Sequence, residues 1–216
     1  MSVLRGHELK ARLTQPRDEW WDRRLGVKTF GYHGGSGEWG TADWASHYQP
    51  LSYAQIFAGL AAAELSPEDV FTDLGCGLGR ALFAAAHAGA GRAVGVELVP
   101  ELARAAEANR RRSRLLDRDI RIVEANALDH PLGDTSLLYF FHALSAQILA
   151  QVIANIRAAR EAAPPGRPLR IVYANPVFDD VLAASGWLDR VRTIPAEPER
   201  FSSVQTYGIS IWRSAR

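Results

Sequence analysis

From Pro50 onward, two hydrophobic periods alternate along the chain. Short apolar runs bounded by turn residues read as strands, and longer stretches with apolar residues three and four apart read as helices. The first helical stretch runs from Pro50 to Leu65, with Leu51, Ile56, Phe57 and Leu60 in phase, and Ser66-Pro67-Glu68-Asp69 breaks it. Strand one is predicted at Val70–Leu74, followed by a helix over Arg80–Ala88. Strand two is Ala93–Glu97, a helix follows over Pro100–Leu116, and strands three and four are Ile120–Glu124 and Ser136–His142. Ser145 is placed to cap a helix reaching Ala162, whose Ile148, Leu149, Val152, Ile153 and Ile156 form one apolar face. Strand five is Leu169–Ala174, and a short helix from Val177 to Ala184 is closed by Gly186. Trp187–Ile194 and Val204–Trp212 then follow with no helix between them. Alternating strands and helices imply an α/β fold with a parallel sheet, and the last two strands imply an antiparallel pair at one edge.

The first 48 residues have a different texture. They carry four of the six tryptophans (Trp20, Trp21, Trp39 and Trp44) and the glycine-rich run Gly31–Gly40. Glycine-rich chain set with large aromatics suits a mobile lid with apolar walls. The bland alternative is that the tryptophans staple the segment to the sheet.

Composition removes several function classes. A length of 216 residues suits one domain with an extension, and 47% apolar residues can fill its core. The net charge of +1 creates no global field for nucleic acid or membrane. With Cys76 the only cysteine, neither an internal disulfide nor a cysteine zinc cluster is possible. The other histidines show no metal-ligand spacing, so no metal is expected. No apolar run approaches the roughly 18 residues of a membrane span, and the N-terminus lacks a secretory core; a soluble cytoplasmic protein is expected. The arginine-rich run Asn109–Arg114 falls near a predicted helix end, where cations oppose the dipole. It carries no interleaved aromatics to stack bases, and reads as a solvated helix end.

The chemistry concentrates at strand ends. After Asp73 come Gly75, Gly77 and Gly79 at alternate positions, directly before a helix. Such glycines permit unusual backbone angles and let main-chain N–H groups approach a ligand. A dinucleotide fingerprint needs a small residue where this chain has Arg80 or Leu82, and no Gly-Lys-Ser/Thr of a P-loop follows. Glu97 ends strand two, 18 residues beyond Gly79, where a carboxylate can accept two ribose hydroxyls. Asn126 follows strand three and His142 ends strand four.

The pattern Asp73-x-Gly75-x-Gly77-x-Gly79, with Glu97 and Asn126 in order behind it, resembles the class I methyltransferases that use S-adenosylmethionine (SAM). The resemblance covers residue 50 to the C-terminus and implies a Rossmann-like doubly wound seven-stranded sheet with an antiparallel last strand. It divides the chain into an N-terminal cap, residues 1–48, and a methyltransferase domain, residues 49–216. It implies that Asp73, Gly75, Gly77, Gly79, Arg80, Glu97, Leu98, Asn126, Ala127 and Tyr48 bind SAM. Asp73 would face the methionine amino group, Glu97 the ribose, and Asn126 with Ala127 the adenine. Arg80 would either cap the loop or meet the cofactor carboxylate. His142, Asn175 and Tyr139 are the catalytic candidates, His142 as a general base or a substrate clamp.

The implied activity is methyl transfer to a small-molecule oxygen or nitrogen. Nucleic acid and membrane are not expected as partners. Enzymes that methylate nucleic-acid amino groups carry Asn/Asp-Pro-Pro-aromatic at the end of strand four, and this chain reads Phe141-His142-Ala143-Leu144. The alternatives are a protein-lysine methyltransferase, an enzyme using SAM for alkyl transfer or cyclisation, and a non-catalytic SAM-fold subunit.

Overall fold

The computed structural model describes residues 17–30, 49–163, 166–196 and 206–215. Helix α1 covers residues 17–25 and α2 Tyr53–Ala62. Then come β1 (Val70–Leu74), α3 (Arg80–Ala88), β2 (Arg92–Glu97), α4 (Pro100–Arg112), β3 (Asp119–Glu124) and β4 (Leu137–Phe141). The chain continues through α5 (Ala146–Ala162), β5 (Arg170–Ala174), α6 (Asp179–Ala184), β6 (Leu188–Ile194) and β7 (Ile209–Ser214). The strands form one seven-stranded sheet in the order β3-β2-β1-β4-β5-β7-β6. Pairs from β3 to β5 are parallel, and β7 is antiparallel to both β5 and β6. The final strand therefore slots between β5 and its own hairpin partner. This is the seven-stranded topology expected from the sequence.

Both sheet faces are buried, which explains the near-continuous apolar central strands. Along β4, Leu137 and Tyr139 join the core under α2 and α3, while Leu138 and Phe140 join the core under α5. The α5 stripe buries Leu149, Val152, Ile153 and Ile156, and Ser145 caps the helix by accepting the Ile148 N–H. At the amino ends of the strands, Asp69 is buried against Arg170 and accepts from the Ser136 hydroxyl at 2.7 Å.

Several elements are shorter than the periodicity suggests. Helix α2 starts only at Tyr53, because Ser52 accepts the Gln55 N–H as its cap. Helix α4 stops at Arg112, because Ser113 is extended and Arg114 donates its N–H to Leu25. Strand β7 begins at Ile209, where pairing with Ala174 begins.

Of the first 48 residues, 17–30 are described, and they are built into the core. Leu25 and Val27 are buried in the same cluster as α2 and α3, and Trp21 packs on Tyr53, Phe57 and His87. This part is stapled to the domain. Trp39, Trp44, the Gly31–Gly40 run and Tyr48 lie outside the described residues.

The turns before β1 and β2 leave no room for a side chain. A Cβ at Gly91 would lie 2.1 Å from the Pro67 carbonyl oxygen. Gly91→Ala is expected to cost about 1–3 kcal/mol, and thermal denaturation should show roughly 2–4 °C lost per kcal/mol. An unchanged Tm would show that the two turns separate freely.

Candidate functional site

The strand order reverses direction at β1, which lies between β2 and β4. Open α/β sheets bind ligands at the carboxyl side of such a switch. Asp73, the glycine loop, Glu97 and His142 converge at that edge of β1, β2 and β4.

The loop from Gly75 to Gly79 is held by backbone bonds. The N–H groups of Gly75 and Cys76 donate to the Val96 carbonyl at 2.9 and 3.2 Å, and Gly79 donates to Cys76 at 2.8 Å. Gly75 has φ +73, and a Cβ there would sit 2.7 Å from the Ala143 side chain after β4. Gly79 has φ +88 and is the N-cap of α3, where a side chain would strike the Phe83 ring.

Glu97 is 4% exposed and grips this loop. Its Oε2 accepts the Gly77 N–H at 2.7 Å, and its Oε1 accepts the Val99 N–H at 2.9 Å. Each oxygen keeps lone-pair capacity for another donor. Burial raises its pKa, and the backbone N–H groups oppose that rise. Asp73 is 3% exposed, with no hydrogen-bond partner among the described residues. Burial, and then the negative charge of Glu97, push its pKa well up. The Cys76 thiol is raised by burial and by both carboxylates, which makes it a poor nucleophile.

Other predicted residues divide between the site and the frame. Leu98 is 48% exposed beside Glu97. The Asn126 side-chain oxygen accepts the Leu128 N–H at 3.0 Å, and Ala127 follows, packed on the α5-side core. Tyr139 lies opposite Asp73 in the sheet register, its ring buried in the core 6.0 Å from that of Phe71.

Arg80 takes the capping alternative. Its guanidinium points back, away from the glycine loop, and donates to Asp18 (2.8 Å), the Thr29 hydroxyl (2.9 Å), the Thr29 carbonyl (3.2 Å) and the Leu51 carbonyl (3.2 Å). A side chain with this many partners ties two chain segments together.

His142 and Asn175 follow the paired residues Phe141 and Ala174 at the ends of β4 and β5. Both have left-handed backbone, φ +42 and +54, which is uncommon away from glycine. Strained residues of this kind gather at functional sites. The His142 Nδ1 lies 3.4 Å from the Tyr173 hydroxyl, and that hydroxyl accepts the Phe178 N–H at 3.1 Å. Either group can donate across that contact, according to the tautomer of the ring. Burial also lowers the His142 pKa to about 4. At neutral pH the ring is an uncharged donor, a poorer base than the free side chain.

Against this geometry, comparison with known proteins is informative. A family model described as a methyltransferase domain matches residues 71–163, the span from β1 through α5. The chain has the class I SAM-dependent methyltransferase fold. An RNA methyltransferase from Salinibacter ruber, solved with S-adenosyl-L-homocysteine, superposes with a TM-score of 0.55 at 19% identity, over 78% of this chain and 95% of that one. A ribosomal protein L11 methylase from Lactobacillus delbrueckii subsp. bulgaricus gives 0.55 at 19% identity, over 78% and 81%. A mitomycin 7-O-methyltransferase gives 0.52 at 15% identity, over 75% and 54%. No curated protein gives a significant match. The three names span RNA, protein and a small molecule, so the fold leaves the acceptor class open, and the expectation against nucleic acid gains no support from it. Among the described residues no group of three or more metal-ligating side chains occurs, and no helix is long and apolar enough to cross a membrane.

Sequence reasoning missed Asp18, Asp22, Thr29 and Asn109. Asp22 accepts from the Thr29 hydroxyl at 2.6 Å and from the Tyr53 hydroxyl at 2.8 Å. The spacing of Asp18 and Asp22 puts both acids on one helix face. In the charged run Arg17–Arg24 that face looks solvated.

Two outcomes test this geometry. A raised folded-state pKa means Asp73 contributes stability that is complete below its unfolded pKa and lost as pH rises through its folded pKa. Asp73→Asn removes that loss, so the ligand-free variant should gain about 1–3 kcal/mol at neutral pH. The advantage should shrink on acidification toward the ordinary carboxylate range, and a lower Tm than wild type at neutral pH would contradict the assignment. For His142, ring-nitrogen NMR should find an uncharged ring at neutral pH and a titration midpoint near 4. A midpoint at the ordinary value of about 6.5 would show that burial does not control the ring.

Proposed function

We propose that the protein binds SAM and transfers its methyl group to a small-molecule oxygen or nitrogen. The observation that carries this reading is the pair of buried carboxylates, Asp73 and Glu97, beside a glycine cradle. Their raised pKa values ask for a ligand that brings positive charge and hydroxyl donors. SAM has an ammonium group, a sulfonium and two ribose hydroxyls, and so fits the donor and acceptor set. Glu97 takes the ribose hydroxyls on the lone pairs left free by Gly77 and Val99. Asp73 takes the ammonium group, and its carboxylate becomes easier to ionise once paired. Leu98 lies along the adenine, and Asn126 offers the second lone pair of its oxygen to the adenine amino group.

Bound SAM would supply a methyl carbon made electrophilic by the sulfonium. The chain's own residues hold the acceptor in line with that carbon and exclude water, and orientation of this kind is worth about 7–11 kcal/mol. With burial keeping its ring uncharged at neutral pH, His142 serves as a substrate clamp at the end of β4. Asn175 stands at the adjacent strand end as a second polar group for the substrate. A small molecule is favoured because Phe141-His142-Ala143-Leu144 lacks the motif of amino-methylating nucleic-acid enzymes.

Calorimetry should detect binding of SAM and S-adenosylhomocysteine but not of NAD or ATP, and tight NAD binding without SAM binding would overturn the proposal. Glu97→Ala should weaken SAM by about 2–4 kcal/mol, for lost hydrogen bonds to a charged acceptor. That corresponds to roughly 30-fold or more in Kd. An unchanged Kd in the folded variant would remove Glu97 from the ribose.

A further inference from the structure

We propose that residues 17–30 hold the glycine loop in its ligand-binding shape through Arg80 and Asn109, and that Asn109 is a positioning residue for cofactor binding. The cofactor part of this inference rests on the reading of the loop as the SAM site.

Asn109 lies in α4 and is 1% exposed. Asparagine is a poor choice for a helix interior, because its amide competes for backbone groups. Here that competition is used. Its Nδ2 donates to the Leu78 carbonyl at 2.9 Å and the Lys28 carbonyl at 3.0 Å. Its Oδ1 accepts the Lys28 N–H at 2.9 Å and a bond from Arg112. Both amide protons and both lone pairs are thereby engaged. The side chain clips the backbone of residue 28 to the backbone of residue 78, between Gly77 and Gly79.

The second clip lies one residue beyond Gly79. Arg80 bonds Asp18 and Thr29, and Thr29 and Tyr53 are held in turn by Asp22. Leu78 and Arg80 flank the left-handed Gly79, and both are bound to the same N-terminal segment. From the opposite side, Glu97 holds the Gly77 N–H. The loop is pinned front and back, so a change at the rear clip should alter the N–H groups presented to the ligand. The Asp69–Arg170–Ser136 cluster at the amino ends of the strands is also buried but touches no part of the loop, and it provides the control.

The test measures S-adenosylhomocysteine binding by calorimetry for wild type, Asn109→Leu, Arg80→Lys and Ser136→Ala, with backbone amide exchange on each. Asn109→Leu is close in shape but leaves Leu78 and Lys28 unpaired, and should raise Kd about 10-fold or more. Arg80→Lys keeps the charge opposite Asp18 but loses the forked geometry, and should raise Kd several-fold. Ser136→Ala should lower Tm while leaving Kd within about twofold, as expected for an independent site.

A folded Asn109→Leu variant that binds as wild type would overturn the proposal, as would a Ser136→Ala variant that loses as much affinity. If Asn109→Leu does not fold, Arg80→Lys decides by the same criterion. If wild type itself fails to bind, the cofactor reading is what fails. Amide exchange then judges the clip: the folded variant should expose the Gly79 N–H more than the amides of β5 and β7, and equal exchange would refute it.

Discussion

Asp73 and Glu97 end neighbouring strands with carboxylates almost removed from water, and among the described residues no cation is placed to lower the pKa of either. Much of the site follows from that constraint. Glu97 recovers part of its desolvation cost from two backbone N–H groups, and in doing so fixes both the glycine loop and the entry to α4. Asp73 recovers nothing comparable. The fold thus carries a local desolvation cost at Asp73.

Positive charge is available close by but is directed elsewhere. Arg80 is adjacent in sequence to Gly79, yet its guanidinium is spent on Asp18, Thr29 and Leu51 behind the loop. Acids and cation are thereby separated: Glu97 bonds the loop at Gly77, while Arg80 bonds the segment 17–30. A buried arginine with this many partners is costly to disturb, because removing one side strands the other. Residues 17–30 therefore belong energetically to the domain they precede, whatever the remainder of the N-terminal segment does.

At the end of β4, burial sets the chemistry of the imidazole. The Tyr173 hydroxyl accepts from Phe178 and lies 3.4 Å from the His142 Nδ1. Burial lowers the ring pKa to about 4 and so weakens the imidazole as a base. Methyl transfer from a sulfonium tolerates this, since alignment and exclusion of water supply much of its acceleration.

The order of elements was legible in the sequence because each central strand is short, apolar and bounded by turn residues, and because the helices between them keep one apolar face. The acid–glycine loop and Glu97 were legible because their chemistry depends on local spacing: a tight turn needs its glycines where the backbone turns, and the acid must end a strand. Three things were decided only by tertiary structure. The direction of the Arg80 guanidinium depends on Asp18, 62 positions away. Asn109 looked like the start of a solvated arginine run, and only the packing of α4 against residue 28 and the glycine loop gives it four hydrogen bonds. The contact between His142 and a tyrosine hydroxyl spans 31 positions, and the low pKa of the ring depends on its burial. Local periodicity reports which face of an element is buried, whereas the partner of a long polar side chain is set by whichever segments the fold brings to its tip.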